Sequence, residues 1–314
     1  MPECTGSTLH NDGMTEQSKS LSSTAFATLL LIAFMMGANH VAARLAFNSG
    51  ADVLTAITFR SLCTAFVIGV IVWQQGVSLG LTGQQKRFLP LIGLLIGVQS
   101  FCLYSAVARL PVALALLAFN TYPLTTALWA RLLYRQETPI AVKRAVPIIL
   151  IGLALALDVL GAASGLGVEA HWGEIGVGVA FALGASLSFG LALVLTQFET
   201  PGLDGRVRTF FTLAIVGGLA LISVGVGDGF QLPRTVVGWW GLALLTLLYG
   251  TAFTLMFTLL PKLGVVGYAA VMNVEPVFAL VLAWGVLGQA IAGMQLVGAL
   301  MVVSAVVWLG LRKG

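Results

Sequence analysis

The sequence predicts an all-α integral membrane protein: ten transmembrane helices in two inverted five-helix repeats, with both termini in the cytoplasm. Three observations lead there. The first is composition. The 314 residues are 58% hydrophobic and only 9% charged, with a mean hydropathy of +0.99, whereas soluble domains carry about 25% charged residues. The second is an internal repeat. Asn120-Thr121-Tyr122-Pro123 returns 153 positions later as Asn273-Val274-Glu275-Pro276, and at the same offset Arg109-Leu110 matches Lys262-Leu263 and Gln136 matches Gln289. A repeat of that length makes the second half of the chain a copy of the first. The third is the placement of Lys and Arg, which are retained on the cytoplasmic side of a membrane.

A spanning helix needs about 20 apolar residues. Ten stretches qualify, at 24–47, 53–73, 88–108, 111–133, 144–161, 175–197, 207–226, 237–260, 264–286 and 291–310. The polar, Ser/Thr-rich residues 1–23 lack the basic-then-apolar pattern of a signal peptide and read as a disordered cytoplasmic tail. Residues 24–160 form the first five-helix repeat, 161–174 a connecting loop, and 175–314 the second repeat. With the N-terminus inside, twelve of the sixteen basic residues fall in cytoplasmic segments. Only Arg44, Arg109 and Arg234 fall outside, and Arg60 lies within the second span. Because each half has an odd number of spans, the second copy enters from the opposite side. Inverted pairs of this kind place a central site at mid-depth between the halves.

The basic residues sit in short loops and form no basic face, which argues against nucleic acid as a partner. Cys63 and Cys102, in apolar segments, read as small buried hydrophobes, and Cys4 lies in the polar tail. Gly93 and Gly97 form a G-x-x-x-G on the third span, read as a helix-packing device. Trp73, Trp172, Trp239, Trp240 and Trp308 near segment ends read as interfacial anchors.

Polar side chains at membrane depth usually face the protein interior or a cavity. Ser and Thr there are often absorbed by bonding to the preceding turn, so Asn, Gln, His, Tyr and Glu carry more weight. That selects Asn39, His40, Gln99, Tyr104, Asn120, Tyr122, Tyr249, Asn273 and Glu275 as candidate substrate-binding residues. Pro123 and Pro276 interrupt the fourth and ninth spans, removing a donor and freeing the carbonyls of Phe119 and Met272. Paired interruptions in corresponding places point to a transporter's central site. The rival reading makes Asn120 and Asn273 patches for those carbonyls. Glu275, near the centre of the ninth span, and His40 are the deep groups most readily titrated, and are the candidate proton carriers. Arg60 reads as structural, able to snorkel or to cap carbonyls. No H-E-x-x-H, G-x-x-x-x-G-K, G-x-S-x-G or C-x-x-C occurs, and the three His are far apart. No catalytic residue, metal site or cofactor is therefore expected.

Thr58-Phe59-Arg60-Ser61-Leu62 in the second span, Tyr122-Pro123-Leu124 through Glu137 in and after the fourth, and Glu275-Pro276-Val277 in the ninth complete the pattern. With the duplication, over roughly residues 25–312, they resemble the drug/metabolite transporter superfamily and its EamA-type exporters. Where that family often ends the ninth span with Gly-Glu, this chain has Gly288-Gln289-Ala290 and lacks the acid corresponding to Glu137. The resemblance implies a multi-pass protein of the bacterial cytoplasmic membrane that exports small metabolites by alternating access, with protons as the exchanged ion. Phosphorylated substrates would need several buried cations, so a neutral or aromatic amino acid, or a similar metabolite, is the expected substrate. A channel or uniporter, or a drug or toxic-cation exporter of the same fold, is the alternative. A monomer in the lipid bilayer is expected.

Overall fold

The computed structural model describes residues 23–137, 140–156, 168–258, 275–289 and 292–311. Among these residues the secondary structure is helical throughout. The helices are α1 (Ser23–Asn48), α2 (Val53–Gln74), α3 (Gly83–Arg109), α4 (Val112–Phe119), α5 (Tyr122–Tyr134), α6 (Ile140–Ala156), α7 (Val168–Glu199), α8 (Gly205–Val226), α9 (Val236–Thr258), α10 (Glu275–Leu287) and α11 (Gly293–Leu311). Seven stretches, one of them α4 and α5 taken together, are long and apolar enough to cross a membrane. Three shorter apolar helices accompany them, at Arg144–Ala156, Glu275–Leu287 and Gly293–Ala305.

Three boundaries differ from the sequence expectation. Helix α3 starts at Gly83, ahead of the apolar run, because Thr82 and Gln85 form a reciprocal capping box. Helix α7 starts at Val168, so residues 168–174 are helix and not connecting loop. An apolar window misses this turn, because its Glu, His and Trp are polar or amphipathic yet compatible with a helix emerging into water. The fourth span is two helices, broken at Asn120-Thr121. Pro123 then occupies the first turn of α5, where the missing N–H has no partner to lose. Thr121 and Thr125 tie the break to α7: the Thr121 and Ser186 hydroxyls are 2.9 Å apart, and Thr125 Oγ1 donates to the Ser186 carbonyl at 2.8 Å. On the other half, Pro276 is the second residue of α10, while residues 264–274 of the predicted ninth span lie outside the described residues.

Helix packing obeys an exchange rule. Swap α1 with α7, α2 with α8, α3 with α9, α4–α5 with α10 and α6 with α11. The contact of α1 with α9 then becomes that of α7 with α3, α1–α10 becomes α7 with α4 and α5, and α3–α8 becomes α9–α2. Helices α2 and α8 pack on each other, as do α6 and α11. These self-paired counterparts run antiparallel. At the start of α2, Asp52 N donates to Gln231 O just beyond the end of α8, and at its end Gln75 accepts from Arg206 in the first turn of α8. A two-fold axis that exchanges antiparallel helices runs across them, which is the geometry of an inverted repeat.

Small residues let the helices approach closely. A Cβ on Gly298 would stand 2.4 Å from the Gly152 carbonyl oxygen and the Ala156 nitrogen, which brings α11 against α6 backbone to backbone. Gly241 lies likewise against Ala42 and Ala46 of α1. Gly93 makes room for Ile215 of α8, which agrees with the packing reading of the G-x-x-x-G. Cys63 is exposed on the outside of the bundle and not buried, since its place on α2 faces away from the neighbours.

Candidate functional site

Where α1, α2, α3, α7, α9, the break between α4 and α5 and the first turn of α10 converge, there is a cavity of about 460 Å³. Seven of the nine candidate residues line it: His40, Gln99, Tyr104, Asn120, Tyr122, Tyr249 and Glu275. Asn39 does not reach the cavity. It is fully buried behind Tyr104, whose hydroxyl donates to Asn39 Oδ1 at 2.9 Å. Asn273 lies outside the described residues. Arg60 and Ser100 also line the cavity, and the rest of the wall is apolar, formed by Ile32, Leu103, Phe119, Phe189, Leu193, Phe253 and Met256 among others. Phe119, Tyr122 and Phe189 form an aromatic corner with ring centroids 5.2–5.5 Å apart. An apolar chamber with a few convergent polar groups is the usual make-up of a small-molecule site.

The acid and the imidazole meet. His40 Nε2 lies 3.2 Å from Glu275 Oε1, and His40 Nδ1 is buried without a hydrogen-bond partner among the described residues. Gly37 makes the contact possible: a Cβ there would stand 3.0 Å from the Glu275 carbonyl oxygen and the Ala279 nitrogen. Bare backbone at Gly37 lets α1 rest on the first turn of α10, and His40, three residues on, faces Glu275 from the same side of α1.

Arg60 departs from its sequence reading. It neither snorkels nor caps a carbonyl among the described residues. Its side chain turns into the bundle, is 4% exposed and lines the cavity. The guanidinium carbon sits 4.0 Å from the Tyr249 ring centroid and 4.6 Å from that of Tyr104, and Nη2 donates to Ser100 Oγ at 2.7 Å. The two Tyr rings therefore cradle a cation, and the Tyr104 hydroxyl is committed to Asn39. The clue in the sequence was Arg60 itself, within the Thr58–Leu62 run. What the sequence does not give is the direction in which α2 turns that side chain.

The threonines behave as expected of back-bonding residues. Thr58, Thr64, Thr126 and Thr254 each donate to the carbonyl four residues earlier.

No curated protein matches this sequence. One solved crystal structure superposes with a TM-score of 0.58 at 19% identity, covering 91% of this chain and 96% of that one. At that identity the likeness is one of fold alone. The EamA-like transporter family model matches twice, at residues 23–157 and again at 176–311, once over each half of the exchange-related fold. The interrupted fourth span, the cavity between the halves and this doubled match have one reading: the chain belongs to the EamA-like transporter family.

Proposed function

We infer that this protein is a ten-span secondary transporter that exports small neutral or zwitterionic metabolites, amino acids with apolar side chains foremost, in exchange for protons. On this reading it resides in the bacterial cytoplasmic membrane with both termini inside, and works by alternating access of one mid-membrane site. The observation that carries it is the His40–Glu275 pair, 3.2 Å apart on the wall of a cavity otherwise rich in aromatic and aliphatic side chains. A carboxylate in such a place holds a proton or a substrate ammonium, and the two exclude one another. Protonation from outside then releases the amine, and amine binding from inside releases the proton to the cytoplasm. His40 Nε2 is placed to receive or return that proton. Asn120 and Gln99 supply neutral donors and acceptors, and the apolar wall takes the side chain. The cycle exports one zwitterion and imports one proton, so it moves one positive charge inward.

The test uses the purified protein in liposomes. A pH gradient should drive radiolabelled phenylalanine uphill through the wild type. Glu275→Gln should reduce pH-driven phenylalanine transport more than it reduces phenylalanine exchange across equal pH. Unchanged pH-driven transport in both Glu275→Gln and His40→Ala would overturn the coupling. A flux that never exceeds equilibration would assign the protein to the uniporters or channels.

A further inference from the structure

We propose that Arg60 is the carboxylate-recognising residue of the cavity, so that the substrates are small carboxylates and amines lacking a carboxylate are excluded. This rests on reading the cavity as the transport site, and it assigns to Arg60 a specificity that the Glu275–His40 pair does not supply.

Arg60 lies seven residues into α2, about 10 Å along a helix that rises 1.5 Å per residue. A cation at that depth needs a partner. Among the described residues no carboxylate reaches it, because Glu275, the acid on the same cavity, is engaged by His40. Two ring faces and one hydroxyl are what it has. Ring faces attract the charge but accept no conventional hydrogen bond from its N–H donors. Its Nε is buried with no acceptor among the described residues. The guanidinium thus sits against two rings with its Nε unfilled among the described residues, and the side chain lines the cavity. A planar fork of N–H donors matches the two oxygens of a carboxylate. A bound carboxylate would neutralise the cation and fill the donors at once. An α-amino acid then spans the cavity between two recognised ends, with carboxylate on Arg60 and ammonium on Glu275. A purely structural Arg60, tying α2 to α3 and α9 through Ser100 and the two Tyr rings, is the competing account.

Three probes separate these readings: phenylalanine, 3-phenylpropionate, which has the carboxylate alone, and phenethylamine, which has the amine alone. Two measurements are made on the full-length protein, counterflow in liposomes and ligand-induced thermal stabilisation in detergent. The wild type should be stabilised by phenylalanine and by 3-phenylpropionate, and not by phenethylamine at equal concentration. Arg60→Lys keeps the charge and loses the fork, and should weaken both carboxylates by roughly tenfold to hundredfold, the value of a hydrogen bond to a charged group. Arg60→Gln should lose both. Equal stabilisation by phenethylamine and phenylalanine would overturn the inference and favour a cation exporter. So would unchanged carboxylate affinity in a folded Arg60→Lys, or no stabilisation by either carboxylate. If Arg60→Gln fails to fold, the wild-type panel and Arg60→Lys still decide. Absence of counterflow for every probe would strike the transport reading instead, and stabilisation by 3-phenylpropionate over phenethylamine would still establish carboxylate recognition.

Discussion

The Tyr104–Asn39 hydrogen bond separates what the Tyr104 ring does from what its hydroxyl does. Both residues are buried, at 1% and 0% exposure. Asn39→Leu leaves the Tyr104 hydroxyl without its acceptor, and Tyr104→Phe leaves Asn39 Oδ1 without its donor. Orphaning a buried polar group costs about 1–3 kcal/mol, whereas replacing both partners with apolar groups of similar shape is close to neutral. Each single variant is therefore expected to lose about 1–3 kcal/mol of stability. The double variant should lose less than the sum, by a coupling on the order of 1 kcal/mol. Thermal unfolding in detergent gives the order: both singles below wild type, and the double above the level that the summed single losses would give. Transport gives the second half. Tyr104→Phe keeps the ring under Arg60, so the KM for phenylalanine should change less than threefold, while Tyr104→Leu, which removes the ring, should raise it. Strictly additive stability losses, or a KM for Tyr104→Phe as high as for Tyr104→Leu, would refute the division of labour.

Other outcomes follow from the same geometry. Gly37→Val drives a side chain into the backbone of Glu275 and Ala279. It should cost about 1–3 kcal/mol as overpacking does and abolish pH-driven transport, while Gly225→Ala, with nothing within 4 Å of its added Cβ, should do neither. Asp204 caps α8 and pairs with Arg206, whose hydrogen bond holds the Asp204 carboxyl below the usual carboxylate range. A carboxyl depressed in the fold adds stability above that range and loses it as pH falls through it. Asp204→Asn should therefore lower stability by about 0–1 kcal/mol at neutral pH, with the difference vanishing in thermal melts at strongly acid pH. Reporter fusions at Gly314 and near Ser164 should fall on opposite sides of the membrane, with Gly314 cytoplasmic, and finding both on one side would contradict the proposed topology.

The sequence revealed much of this arrangement, for physical reasons. Lipid cannot hydrogen-bond, so a polar side chain deep in an apolar segment must turn inward. That rule selects His40, Gln99, Tyr104, Asn120, Tyr122, Tyr249 and Glu275, all of which line the cavity. The repeat pointed to the interruption at Asn120-Thr121, and an odd helix count implied the inversion that the antiparallel α2–α8 pair displays. The rule says nothing about what stands in front of an inward-facing group. Asn39 is as polar and as deep as His40, but it lies behind Tyr104 and acts through it. Depth also misled at Arg60. One-third of the way along a helix, a long cation can rise to the interface or turn inward, and only the rings of Tyr104 and Tyr249, from two other helices, decide for the second. The early start of α7 escaped for a simpler reason, since hydropathy reports where lipid is and a helix continues into water.

The account turns on the cavity being where substrate sits, and cysteine protection measures that most directly. With Cys4, Cys63 and Cys102 replaced, a single Gln99→Cys places one thiol on the cavity wall, and Leu79→Cys places one on the exposed α2–α3 loop. A charged methanethiosulfonate should react with both in liposomes. Saturating phenylalanine should slow the reaction at Gln99→Cys severalfold and leave Leu79→Cys unchanged, and complete modification should stop counterflow only in the former. Unprotected labelling of Gln99→Cys, with counterflow intact after modification, would place the substrate elsewhere and contradict the account.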